Sequence, residues 1–402
     1  MKTKSPIAVC IVVENLPVPL DRRVWKEARA LRDAGYRVSV ICPKGNGFSA
    51  SHEVLEEIEI YRHLSWEASG ISGYFFEYGI SLMAEFLLTL KVFTRTRFRI
   101  LQACNPPDTI FLIGLFFKIF GVRFIFDQHD LGPELFEAKF GRRTGVLYRL
   151  SCFLEYCSFR VANTCIATND SFKDIAISRG KKHPESVFVV RNCADLTTFR
   201  RPNNHTKDKF GKSLLVAYVG FMGSQDGLEL WLDSIDHIIH REGRQDTHFV
   251  LIGGGTILQD LEAIVAEKGL HSYVTLTGQV THDQVAGYLS SADLAVAPDP
   301  KNAMNDKLTM VKILEYMAFS LPVVLFDLEE GKRIAGPAAL YAHSNDPVNF
   351  AEQVSRLLDS EELRQQLGQS GRRRVEESLN WETEKKSLIE AYASTLEGVK
   401  AR

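Results

Sequence analysis

The chain has almost no net charge. Over 402 residues, 48 lysines and arginines stand against 50 aspartates and glutamates, a net of -2, which is too balanced for a protein whose main business is gripping nucleic acid. It has no CxxC pair. The seven cysteines (Cys10, Cys42, Cys104, Cys152, Cys157, Cys165, Cys193) are odd in number and several lie in apolar, strand-like runs, so they read as buried thiols in a reducing cytosol, with no zinc site or disulfide framework. Long uncharged apolar runs are missing too. Residues 74–94 contain Glu77, Glu85 and Lys91, and residues 110–121 are short and interrupted by Lys118, whereas a membrane span needs about 20 largely uncharged residues. The N-terminal apolar run is only about eight residues long and no small-residue cleavage site follows it, so it reads as a first strand, not a signal peptide. A GxGxxG after that strand is absent, which argues against a nicotinamide-dependent oxidoreductase. There is no short-period repeat or low-complexity tract.

What is present is an ordinary globular composition, 45% hydrophobic and 24% charged, in a length that suggests two domains. Charge is distributed unevenly: residues 1–200 carry 27 basic and 21 acidic side chains, the remainder 21 and 29. A basic half joined to an acidic half suggests that one side faces an anionic partner, and an anionic membrane surface is a candidate. Arg95, Arg97 and Arg99 follow the apolar stretch 74–94, and Arg142, Arg143, Arg149 and Arg160 flank a later apolar helix. Basic-edged amphipathic helices of this kind can lie in a lipid interface, although core helices with solvated ends have the same pattern.

Short β-branched runs alternate with helical patterns: IAVCIVVE, then DRRVWKEARALRDAG, then YRVSVIC, and later FRIL, VRFIFDQ, TCIAT and SVFVVR. Asp21 is a candidate N-cap, Gly35 a C-terminal stop, and Val24, Ala28 and Leu31 share one helix face. The rhythm restarts at LLVAYVGF (214–221) and continues through HFVLIGGG, YVTLTG and DLAVAP. Strands alternating with helices imply right-handed crossovers and parallel sheets, so the expectation is an α/β protein with two sheets in series. The polar, aperiodic stretch 200–213 is the expected linker. The expected domains are 1–199 and 200–380, with a C-terminal helix at 381–402 able to pack on the first.

Residues 299–325, DPKNAMNDKLTMVKILEYMAFSLPVVL, read as a strand end, a polar loop, a helix from about Thr309, a turn and an apolar strand. In parallel α/β sheets ligands bind beyond the carboxyl ends of strands, where helix N-termini present amides to anions, so a phosphate would fit there. Glu315 falls inside that helix, where it is either an exposed helix carboxylate or an acid directed at a binding cleft. Gly253, Gly254 and Gly255 are either a nucleotide loop or a glycine turn after a strand. His129, after a strand and before Asp130, is either structural or a site residue.

LEYMAFSLPVV resembles the LEAMAxGxPVV segment of the retaining glycosyltransferases of family 4, which have the GT-B fold. LDRRVWKEARALRDAGYRVSVICP is similar to that family's opening strand-helix-strand, VFVVRNCADLTTFRRP to its V-x-N-G-x-D-x-x-x-F-x-P segment, and VLIGGG with VTLTGQV to its nucleotide-pocket strands. The resemblance covers most of the chain. DRRVWKEA, DQHDLGPELFEAKFG and NDKLTMVKILEYMAF are nearer a bacterial subgroup that builds lipopolysaccharide, capsule and exopolysaccharide units. The resemblance implies two Rossmann-like domains with parallel sheets facing across a cleft, an acceptor-binding domain followed by a nucleotide-sugar domain.

By position, the resemblance makes Glu315 the carboxylate that accepts hydrogen bonds from the donor ribose. It makes the amides around Thr309, Met310 and Val311 the diphosphate cradle, and His129 the residue facing the reacting sugar. Gly220, Gly254 and Arg191 would lie on the donor side; Arg22, Arg23 and Asp130 on the acceptor side. Three family features are missing. Lys307 stands where the first acid of E-x7-E belongs, so that contact is either absent or supplied by Asn305 or Asp306, and GFMGSQDG (220–227) has neither member of the Arg/Lys pair that neutralises the leaving diphosphate. Lys307 and Lys312 are the expected replacements, because cationic stabilisation of a leaving diphosphate is a major part of catalysis; Arg22, Arg23 and Arg191 are others. The glycine-rich loop after the first strand is replaced by ENLPVPLD.

The implied reaction moves a hexosyl or N-acetylhexosaminyl group, with retention, from a nucleotide sugar, UDP before GDP or ADP by family frequency. The acceptor would be a glycan, in particular one linked to polyprenyl diphosphate, at the cytoplasmic face of the inner membrane. Neither a metal ion nor another cofactor is expected, since there is no DxD-like pair and no His/Cys ligand cluster along the chain. Rival readings are a catalytically inert sugar-nucleotide-binding or scaffold protein and a nucleotide-sugar epimerase.

Overall fold

The computed structural model describes residues 6–45, 47–64, 70–140, 144–193, 196 and 208–397, with backbone alone at 70–78 and 138–140. Two units separate, Met1–Arg191 with Glu384–Arg402, and Asn192–Thr383. The first division falls before the expected 199/200, the second a few residues after 380/381. Of the expected linker, residues 200–207 lie outside the described residues, as do Arg142 and Arg143.

The first unit is built on eight strands: β1 (Ala8–Val12), β2 (Arg37–Pro43), β3 (His52–Leu55), β4 (Ile58–His63), β5 (Ile100–Cys104), β6 (Arg123–Gln128), β7 (Thr164–Ala167) and β8 (Val187–Val189). Their order is β3-β4-β2-β1-β5-β6-β7-β8. Every pairing is parallel except β3 with β4. β1 and β5 are buried along their whole length, which explains their continuous apolar runs: a parallel sheet covered on both faces has no polar side to alternate with. The helix Arg22–Asp33 begins as expected, with Asp21 Oδ1 accepting the Val24 amide at 3.0 Å. It ends before Gly35, whose φ of +87° suits a residue without Cβ, and Val24, Ala28 and Leu31 are buried. The C-terminal helix Trp381–Glu397 is attached to this unit through the Ser387 hydroxyl donating to Val189 O (2.7 Å) and the Tyr392 hydroxyl to Gln102 Oε1 (2.6 Å).

The second unit carries β9 (Leu214–Val219), β10 (Thr247–Ile252), β11 (Val274–Leu276), β12 (Leu294–Ala297), β13 (Val323–Phe326) and β14 (Ala339–Ala342), ordered β11-β10-β9-β12-β13-β14 and wholly parallel. Alternation along β9 sends Val216 and Tyr218 into a core with Trp231, Phe249 and Phe350, while Leu215 and Ala217 enter a second core with Ile313 and Met317, as a two-residue period requires. In each sheet the order reverses once beside the first strand, between β1 and β5 and between β9 and β12. Doubly wound sheets bind ligands at such a point, outside the carboxyl ends of the strands.

Candidate functional site

At the reversal in the second sheet, the loop after β9 meets the loop after β12. A Cβ on Gly227 would lie 2.0 Å from Pro298 O, one on Gly253 2.0 Å from Gly220 O, and one on Gly255 2.2 Å from Met222 O. No side chain fits at these contacts, so the glycines let the loops after β9, β10 and β12 touch backbone to backbone. Gly254 is roomier, with its nearest neighbour at 3.4 Å; its carbonyl accepts the Met222 amide at 3.0 Å. Gly220 and Gly254 thus sit in a junction of loops, whose close contacts require glycine at 253 and 255 but not at 254.

The helix Val311–Ala318 starts here, with Met310 at its N-cap and no side-chain cap. Tyr316 ties it to the end of β9, its hydroxyl accepting the Val219 amide at 2.8 Å. From the first turn, the Lys312 ammonium donates to Asp299 Oδ1 at 3.0 Å and to the Tyr218 hydroxyl at 3.3 Å. It also lies 3.6 Å from Asp226 Oδ1 and 4.8 Å from the Tyr218 ring centroid. Burial works most strongly against this charge, but Asp299, Tyr316 and Asp226 together outweigh it and hold the ammonium above its ordinary range. Lys312, expected as a cation for a diphosphate, is therefore already matched by two carboxylates. Asp299, Asp226 and Tyr218 escaped sequence reading, because residues 218, 226, 299 and 312 meet only through the strand order. Glu315 is half-buried and lies three residues beyond Lys312, hence on the same helix face.

The residues offered in place of the missing first acid have other work. Asn305, buried, donates to Gln225 O and Pro300 O at 3.2 and 3.0 Å. Asp306 accepts the Glu329 amide at 2.8 Å and so opens the following helix. Lys307 and Thr309 are half-buried in the loop between them and the helix.

In the first unit, His129 follows β6 and its ring enters a buried charge cluster. His129 Nε2 lies 2.8 Å from Asp127 Oδ2 and 3.0 Å from Arg23 Nε. Arg23 also donates to Asp127 Oδ1 (2.9 Å) and Val190 O (2.7 Å), and pairs with Glu27 at 3.2 Å. Gln102 donates to both Glu27 (2.7 Å) and Asp127 (3.0 Å). Burial raises the Asp127 carboxyl, yet Arg23 and then His129 pull it below the usual carboxylate range. Glu27, buried beside Asp127, is pushed up to about 7. Burial lowers and Asp127 raises the His129 imidazolium, with an upward net shift. Asn105 Oδ1 accepts the amides of His129 and Asp130 at 2.7 and 3.2 Å, so His129 is rigidly placed.

Three expectations change. Arg23, assigned to the acceptor side, instead lies behind His129 as the counter-ion of Asp127, its side chain 8% exposed. Arg191, assigned to the donor, is bound within the first unit to Asp170 and to Glu384 (3.2 Å), with its amide also on Glu384 (2.9 Å); burying that guanidinium requires these partners. Finally, the described residues do contain two groups of ligand-type atoms within 4.8 Å of one another, Cys104–Asp127–His129 and Glu14–His63–Glu85; the first joins the ends of the neighbouring strands β5 and β6, and the second draws on β4, the segment after β1 and a helix, so neither is a contiguous motif. Arg22 is exposed and Asp130 half-buried.

Comparison with known proteins agrees with this architecture. Residues 20–198 match the family model described as Glycosyltransferase Family 4, and residues 213–360 the one described as Glycosyl transferases group 1. Among curated proteins, alpha-D-kanosaminyltransferase of Streptomyces kanamyceticus is 28% identical over 158 residues, 39% of each chain; the chain thus spans about two fifths of the length of that relative. Among solved structures, sucrose-phosphate synthase of Thermosynechococcus elongatus superimposes with a TM-score of 0.79 at 18% identity, covering 98% of this chain and 100% of that one. Anabaena Alr3699/HepE in complex with UDP gives 0.71 at 14%, covering 96% and 100%.

Proposed function

The chain belongs to the family 4 glycosyltransferases with the GT-B fold, and from that premise we propose that it transfers a glycosyl group, with retention, from a nucleotide sugar to a glycan acceptor. The observation that carries this reading is the placement of the helix Val311–Ala318 beside the β9/β12 reversal, with Glu315 on the face that carries Lys312. The donor diphosphate takes the amides at Thr309, Met310 and Val311, aided by the positive end of the helix. Asp299 and Asp226 lie beside the Lys312 ammonium, so Lys312 fastens the loop ends that shape the pocket, and Lys307 and Lys312 are the lysines nearest in sequence to the diphosphate amides. Glu315 accepts the ribose hydroxyls. UDP is the favoured nucleotide, since Alr3699/HepE binds it on the same fold. His129 presents its ring to the reacting sugar, and the departing phosphate takes the acceptor proton, so this transfer needs no metal at the diphosphate.

Glu315→Ala is expected to weaken UDP binding by about 10- to 100-fold, the value of hydrogen bonds to a charged group, in isothermal titration calorimetry, with the fold unchanged by circular dichroism. Unaltered UDP affinity would remove the assignment. A matched pair of carboxylates around Lys312 also suits an inert sugar-nucleotide-binding protein; sugar transfer or donor hydrolysis by the wild type, lost in Glu315→Ala, separates the two.

The acceptor is proposed to be lipid-linked, as in bacterial surface polysaccharide synthesis. No described helix is long and apolar enough to cross a membrane. Three helices of the first unit nevertheless expose apolar side chains: Ile80, Met83 and Leu87 on Gly70–Thr96, Leu112 and Leu115 on Phe111–Lys118, and Val146, Leu150 and Phe153 on Val146–Val161. The last two helices pack together, and Phe116 meets Phe86 at 4.9 Å, so these residues lie on neighbouring elements. Apolar patches of this extent mark interaction sites, and nearby arginines favour anionic lipid. Flotation with vesicles containing about 30% phosphatidylglycerol is expected to carry the wild type, and Leu115→Asp/Phe153→Asp is expected to stay at the bottom. Equal flotation of the two would refute the membrane surface.

A further inference from the structure

Glu85 lies in the middle of the apolar helix Gly70–Thr96, where its side chain is fully buried. Neither carboxylate oxygen has a hydrogen-bond partner. His63, the last residue of β4, has a side chain only 3% exposed, and its Nε2 is likewise without a partner. That nitrogen lies 3.5 Å from Glu14 Oε2 and 4.0 Å from Glu85 Oε1, too far for good hydrogen bonds. Glu14 follows β1, and its Oε2 is also buried and unpartnered. Three ligand-type atoms, one each from Glu14, His63 and Glu85, thus lie within 4.8 Å of one another, an arrangement that costs free energy unless a proton or a metal cation lies between them.

We propose that Glu14, His63 and Glu85 form a binding site for one divalent first-row transition-metal ion. The donor set decides the class. His63 Nδ1 lies 3.1 Å from Leu64 O; donating there, it leaves the Nε2 lone pair for the ion, the outer-shell contact common to metal-bound histidines. Two carboxylates, one neutral imidazole and a dication sum to zero charge, which suits a buried site. One imidazole with two carboxylates favours zinc, iron or manganese over magnesium, which prefers oxygen and water. Size agrees too: a tetrahedral ion with bonds of about 2.0–2.1 Å spaces its ligands about 3.3 Å apart. The 3.5 Å separation is close to that, and the 4.0 Å one closes by a small rotation of the flexible Glu85 side chain. The alternative cluster, Cys104–Asp127–His129, already holds the Arg23 guanidinium against Asp127 and His129, and a second cation there meets repulsion. An ion bound by Glu14, His63 and Glu85 would join the loop after β1 to β4 and to the helix, at the carboxyl ends of strands neighbouring the reversal. It is independent of the glycosyl-transfer reading and takes no part in the transfer described above.

The test is zinc titration of the purified full chain, stripped with a chelator and competed with a chromophoric chelator. One zinc per chain is expected, undisturbed by millimolar magnesium, and bound at least tenfold more weakly in Glu85→Gln. Glu14→Gln, at the partly exposed edge of the site, should show the same loss, and it carries the test if Glu85→Gln fails to fold. X-ray absorption should show a nitrogen and oxygen shell with imidazole scattering. Absence of stoichiometric zinc, unchanged affinity in the folded variants, or a zinc–sulfur distance near 2.3 Å pointing to Cys104 would each overturn the proposal. A rise in melting temperature for Glu85→Gln without any zinc effect would do so as well, by showing that the carboxyl pair is held by a shared proton.

Discussion

Lys312→Met is expected to lower the stability of the second unit by about 3–5 kcal/mol, the usual cost of removing one partner from a buried ion pair. Asp299, with a side chain 3% exposed, would lose the ammonium at 3.0 Å, and Tyr218 would lose the cation over its ring. The measurement is urea unfolding at pH 7, followed by fluorescence of the second unit's Trp231, buried in its core. The partner change separates stability from function. Lys312→Met/Asp299→Asn removes the uncompensated carboxylate and should recover at least half of the loss, because the penalty lies mainly in the orphaned charge. UDP affinity should remain weak in the double variant if Lys312 shapes the pocket, and return with stability if Lys312 only props up the fold. A single variant within about 1 kcal/mol of wild type would mean that Asp299 does not depend on Lys312.

Arg23→Met should cost the first unit a similar amount, about 3–5 kcal/mol at neutral pH, since Asp127 and Glu27 are both fully buried and both face this guanidinium. Here pH gives a second readout. In the wild type the Asp127 carboxyl is held below its unfolded value, so its contribution is present above about pH 4 and is lost as pH falls through the folded value. In the variant burial is no longer opposed by Arg23, and protonating Asp127 relieves the buried charge. The stability gap between wild type and variant should therefore narrow on acidification from pH 7 towards pH 4. A gap that stays constant or widens would show that Arg23 contributes through packing alone. Turnover by the variant should also change its pH profile if His129 faces the sugar, because Arg23 lies against the His129 ring nitrogen.

The helix starting after Asp21 and the strands LLVAYVGF and HFVLIGGG were legible because hydrophobic period and capping chemistry are local. The hairpin of β3 and β4 was not. Its turn residues, Glu56 and Glu57, take φ values of 47° and 63°, where asparagine and glycine are the usual signals, and its charged alternation EVLEEIEIYRH looks like solvent-facing chain. Glu315 and the 309–311 segment were singled out through a contiguous motif. The partners of Lys312 were not, since Tyr218 lies in β9, Asp226 in the loop after it and Asp299 in the loop after β12, which only the strand order β10-β9-β12 brings together. Arg23 and Arg191 looked like ligand-binding cations in a one-dimensional reading, because charge alone does not reveal that a carboxylate is packed against it.

The amino acids in their order determined the α/β class, two parallel sheets, the family and the helix after the polar loop 299–310, since these depend on periodicity and local chain chemistry within a few residues. Tertiary structure decided which charges are available. A buried carboxylate neutralises whichever cation the topology sets beside it, as Asp127 does Arg23 and Asp299 does Lys312. The same process gathers Glu14, His63 and Glu85, from two strand ends and an apolar helix, around a space that calls for a cation; electrostatic energy depends on distance through space, which spacing along the chain does not specify.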